Sequence, residues 1–152
     1  MTLEAILAAA HLLAILTAVV FITSETAICR GDWLNDKVIR RLVAVDRIYL
    51  GGLAAVLLTG LARIFWGIKG DAWYWSNWLL HLKVGLFIAV VLLAIQPARS
   101  YRRWLAQLEA NGALPAEAEV TSTRRRAFLA AHLIALVPIA AAFLARGFGG
   151  AG

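Results

Sequence analysis

Cysteine is nearly missing from this chain. A single residue, Cys29, leaves no partner for an internal disulfide, and no CxxC pair exists to hold zinc or run thiol exchange. Other signatures are also missing: there is no P-loop, no GxGxxG turn, no HExxH helix and no serine nucleophile elbow. Proline occurs three times, no tract is Pro- or Ser-rich, and no internal repeat links one half of the chain to the other. Acidic residues are scarce too, nine against fifteen lysines and arginines. The N-terminus, MTLEAILAAAHLL, lacks the basic stretch of a signal peptide and reads as a retained helix.

Apolar sequence is abundant. Hydrophobic residues make up 62% of the 152, with a mean hydropathy of +0.77, well above the usual share of about 45–50% in soluble domains. A membrane-spanning helix needs about 20 mostly apolar residues. Four stretches qualify, at 3–23, 45–66, 78–97 (continuing as a helix to about 111) and 127–145. They use up most of the chain, so the expected fold is all-α, a single integral membrane domain (1–152) forming an up-down-up-down four-helix bundle.

The formal charge of +6 would point to nucleic acid in a soluble protein. Its distribution argues otherwise and leaves the lipid bilayer as the partner. Arg30, Lys37, Arg40, Arg41, Arg47, Arg99, Arg102, Arg103, Arg124, Arg125 and Arg126 all lie on the side of the connections after the first and third spans, Arg47 at the very start of the second span. The opposite side has only Lys69 and Arg146 outside the spans. The positive-inside rule places the basic loops in the cytoplasm and both termini outside a bacterial inner membrane.

Local signals place the helix ends. Asp32 or Asn35 is expected to cap a short interfacial helix after the first span, with Trp33 as its headgroup anchor. Trp73, Tyr74 and Trp75 form an outer aromatic belt, and Ser76 or Asn77 caps the third helix. Asn111-Gly112 ends it. A polar linker, ALPAEAEVTST, follows, and Thr121 to Thr123 are the expected cap of the fourth helix.

Ionisable groups at membrane depth are costly, so each is a candidate site residue. On the second span, Asp46, Tyr49, Gly52, Val56, Thr59 or Gly60, and Arg63 share one helical face, a small and polar stripe suited to helix packing. Arg63 is also placed to hold an anionic ligand. Counting from Glu4, His11 lies roughly 10 Å deep at about 1.5 Å per residue. His81 lies about 9 Å below Trp75 by the same rise. Two imidazoles at similar depth on the first and third helices, which are diagonal in such a bundle, suit the two axial positions of a b-type haem. Lys83, about 200° around the helix from His81, is expected to turn away toward headgroups or to meet a carboxylate such as a haem propionate, alongside Arg63. His132, nearer the basic loops, matches that depth less well.

Several segments look familiar. VDRIYLGGLAAVLLTGLARIFWGIKGDAWYWSNWLLHLKVGLF, with Asp46, Thr59 to Arg63, the Lys69-Gly70 turn and Lys83, resembles bacterial membrane proteins grouped as domain of unknown function 2214. HLLAILTAVVFITSE, with His11 and Glu25, and PIAAAFLARGFG are similar too. That resemblance implies a four-helix inner-membrane protein without an established activity. More distantly, Trp78-Leu79-Leu80-His81-Leu82-Lys83 resembles the W-L-H-x-K motif of HemJ-type protoporphyrinogen oxidases, with one extra leucine. That likeness implies His11 and His81 as haem ligands and Lys83 as a substrate or propionate contact. The expected function is therefore haem-dependent electron transfer or porphyrinogen oxidation, with a redox partner or a second copy as further partners. The alternatives are a non-catalytic membrane subunit without cofactor and a small transporter.

Overall fold

A computed structural model describes residues 2–66 and 77–146. Four long helices carry nearly all of them: α1 (Thr2–Ile28), α2 (Asp36–Trp66), α3 (Trp78–Asn111) and α4 (Glu117–Ala145), with a 3-10 turn at Gly31–Trp33. Each helix is long and apolar enough to cross a membrane, and among the described residues there is no strand. Packing runs in a ring, α1 on α2, α2 on α3, α3 on α4 and α4 back on α1. This is the expected all-α four-helix architecture. The aromatic belt at Trp73 to Trp75, the Lys69-Gly70 turn, Ser76 and the glycine-rich end lie outside the described residues.

The caps follow local chemistry. Asn35 accepts from the Val38 N–H at 3.1 Å and starts α2, which runs unbroken to Trp66. The short interfacial helix expected in this region is thus the first two turns of α2. Asn77 accepts from the Leu79 N–H at 3.0 Å and starts α3. Gly112 ends α3 at φ 71°, where a side chain would strain the backbone, and its N–H bonds Leu108 O at 2.9 Å. The expected cap at Thr121 to Thr123 is incorrect: α4 begins at Glu117, two residues beyond Pro115. Glu117 and Glu119 in its first turn complement the helix dipole, which outweighs the polar look of the segment. Thr123 is buried inside the helix and accepts from Gln96 at 3.3 Å.

The apolar centre alternates alanines with larger side chains. Ala18 and Ile22 of α1, Tyr49 and Leu53 of α2, Val90 and Ala94 of α3, and Ala127, Ala130 and Ile134 of α4 form its buried core. Beyond the apolar spans, Cys29, Ile39, Leu42, Val43, Tyr101, Trp104 and Val120 make a second core at the basic-loop end. The tightest crossing is α1 on α2. A Cβ on Gly52 would stand 3.2 Å from the Ala18 backbone nitrogen, so any side chain there would push the α1 backbone back by a few tenths of an ångström. Outward faces carry large apolar side chains such as Leu13, Leu58, Phe65 and Leu92, as lipid contact requires.

Candidate functional site: a hydrogen-bonded histidine among three helices

His11 is buried on α1 at the end of the bundle away from the basic loops. Its Nδ1 lies 2.8 Å from Thr59 Oγ1 on α2. The Thr59 hydroxyl has one proton and directs it at Ala55 O, 2.6 Å away, one turn back along the helix. Thr59 Oγ1 must therefore accept, and His11 Nδ1–H must donate. The Nε2 lone pair is left facing α3, where Lys83 Nζ stands 3.4 Å away and can only donate. Lys83, His11, Thr59 and Ala55 thus form one directed chain, and the ring's tautomer follows from its partners.

Arg63 closes the site on one side. Its Nη2 meets Glu4 Oε1 at 3.3 Å, both side chains about a quarter exposed, and its Nε is hydrogen-bonded to nothing among the described residues. Gly60, one residue beyond Thr59, is the floor beneath the ring: a Cβ there would lie 3.3 Å from His11 Cε1.

The structure brings His11, Arg63 and Lys83 together but not His81. His81 is exposed on the outward surface of α3, while Lys83 occupies the inward face where the second histidine was expected. The two are about 200° apart, as the sequence required; the expected assignment of faces is reversed. The sequence holds the signal for this. Leu80, Lys83, Phe87, Val90, Ala94, Pro97, Tyr101 and Trp104 recur at three- and four-residue steps, and buried or half-buried positions follow that register. His81 falls outside it. His132 is also exposed, its Nδ1–H donating to Phe128 O at 2.8 Å beside the Phe128 ring.

The sequence leads one to expect a haem at this depth. Histidines that bind metals commonly donate their other ring N–H to a fixed acceptor, which orients the ring and raises its basicity. His11 has that arrangement through Thr59. No second histidine stands opposite it, so the two-histidine axial pair does not fit. Among the described residues no group of three or more His, Cys, Asp and Glu side chains gathers to hold a bare metal ion.

The helix-2 stripe faces the bundle as expected, with Asp46, Tyr49, Gly52 and Val56 all buried. Sequence reasoning missed the weight of Glu25 on α1. It is fully buried at the basic-loop end, in register with His11, Ala14, Ala18 and Ile22. Cys29, just beyond, is buried as well, and burial pushes its thiol up to about 11, so it is an inert packing residue at neutral pH.

The family described as "Predicted membrane protein (DUF2214)" matches residues 3–149 of the chain. No curated protein and no solved structure matches it.

Proposed function

We propose that this chain, which belongs to the DUF2214 family of predicted membrane proteins and is an integral membrane protein with four apolar helices, binds a b-type haem through His11 alone. The observation that supports this reading is the orientation of the His11 ring, with Nδ1–H held by Thr59 and the Nε2 lone pair turned toward Lys83 on α3. Bound haem supplies one-electron transfer or oxidation chemistry. The chain's own residues do the holding. Thr59 fixes the tautomer and the angle of the ring. Lys83, released from Nε2, and Arg63 offer cations to the carboxylates of the macrocycle.

A second reading is favoured by the same bonds. Lys83, His11 and Thr59 satisfy one another without a metal and tie three helices together, as a non-catalytic membrane subunit would need.

The visible spectrum of protein purified after expression with ample haem separates the two. The haem reading expects a Soret band of a singly histidine-ligated haem. His11→Ala abolishes it and His81→Ala leaves it intact. Thr59→Val shifts it, because the ring loses its acceptor. Lys83→Met lowers haem retention more than it alters the bands. Folded protein without a Soret band overturns the haem reading in favour of the second, and equal losses in His11→Ala and His81→Ala overturn the single-ligand assignment.

A further inference from the structure

Toward the basic-loop end, fourteen residues along α1 from His11 and so about 21 Å away at 1.5 Å per residue, lies a second polar cluster. Glu25 on α1, Asp46 and Tyr49 on α2, and Tyr101 on α3 are each at most 1% exposed. Both carboxylate oxygens of Glu25, both of Asp46, and the two phenolic oxygens make no hydrogen bond of full geometry among the described residues, and the Tyr101 hydroxyl lies near both Glu25 and the Cys29 thiol. Both tyrosine hydroxyls stand within electrostatic reach of Glu25 and Asp46, so these groups converge on one another from three helices.

The donors do not match the acceptors. Two carboxylates offer four oxygens with several lone pairs, and two phenols supply at most two protons. Charge is unbalanced as well. Asp46 has Arg102 Nη2 at 3.9 Å, on a side chain 58% exposed, and the exposed Arg47 beside it. Glu25 has no cation within ion-pair distance among the described residues. Arg124 of α4 spends its Nε on the Thr26 carbonyl at 3.2 Å. A buried carboxylate with no partner costs several kcal/mol, far more than a fold of ordinary stability leaves unrelieved.

We propose that Glu25, Asp46, Tyr49 and Tyr101 form a binding site for one small monovalent cation, a proton or a sodium ion. One positive charge relieves the Glu25 carboxylate, and the phenols complete the oxygen shell. Arg102 and Arg47 sit at the rim on the basic-loop side.

The test uses the full-length protein in detergent micelles and a hydrophobic carbodiimide, which modifies protonated carboxyl groups and spares carboxylates. Modification is mapped by peptide mass spectrometry from acidic to alkaline pH, in sodium chloride and in choline chloride of equal strength. Thermal stability is read in parallel. The expected result is modification at Glu25 or Asp46 that declines as pH rises. Insensitivity to sodium then assigns a proton. Sodium protection at fixed pH, with a sodium-dependent rise in the unfolding temperature, assigns sodium. Glu25→Gln keeps the volume, removes the charge, and should abolish the ion dependence while the protein stays folded. If that variant fails to fold, Asp46→Asn serves for the same reading. Absence of modification at both carboxyls at every pH, together with identical stability in sodium and choline, overturns the proposal. Retention of the ion dependence in folded Glu25→Gln overturns it too.

Discussion

At the scale of the residue, position within a helical register decides which polar group matters. His81 and Lys83 are two residues apart, yet one faces outward and the other bonds His11. Cys29 shows the same principle in a quieter way. It is wholly buried between the end of α1 and the second core, and its thiol is held well above neutrality by desolvation. The thiolate is the reacting form, so folded protein at neutral pH should resist a maleimide and become modified only once denatured. Rapid modification of the folded state, followed by mass spectrometry, would contradict the burial. Cys29→Ser should lower stability by about 1–3 kcal/mol, because the hydroxyl in that apolar core needs a partner.

At the scale of the element, adjacent glycines on α2 separate packing from exposure. Gly52 stands against the Ala18 backbone, whereas nothing lies within 4 Å of a Cβ built on Gly51. Gly52→Leu should therefore destabilise the bundle by roughly 1–3 kcal/mol through overpacking. Gly51→Leu faces lipid and should be neutral or mildly stabilising, since glycine in a helix interior costs up to about 1 kcal/mol relative to better helix formers. Thermal unfolding of the two variants in detergent measures the contrast; equal behaviour would mean that α1 does not cross α2 at this point. The helix ends were readable where the cap is a local device, as at Asn35, Asn77 and Gly112. At α4 the threonine and serine residues at 121 to 123 resemble a cap, but the chain has already entered the helix at Glu117.

At the scale of the whole molecule, the extension of the helices beyond the apolar spans gives the bundle two unlike ends. One holds the basic residues, Trp104 bonded to Glu119 at 2.7 Å, Arg103 paired with the same carboxylate, and Arg40 bridging α2 to Glu109 on α3 at 3.0 Å. The other holds Glu4, Arg63, His11 and Lys83. The charge bias predicts that the basic end is cytoplasmic. A C-terminal alkaline phosphatase fusion should then be active, and a fluorescent protein that matures only in the cytoplasm should stay dark at the same position. The reverse pair of results would invert the topology.

The sequence by itself determined the number of helices, their all-α membrane character, the charge asymmetry and the inward stripe of α2. Each rests on composition or on a 3.6-residue period, which are local properties of the chain. Depth along the bundle axis was also legible, which is why His11 emerged as a candidate. The tertiary structure decided what His11 meets. A rotation of α3 by half a turn exchanges His81 for Lys83; the apolar register from Leu80 to Trp104 favours Lys83 on the inner face, and the packing of Phe87, Val90, Ala94 and Tyr101 against the other helices brings it within reach of His11. It likewise decided the convergence of Glu25, Asp46, Tyr49 and Tyr101, since residues on three helices share a buried space only through long-range contacts that no local period encodes.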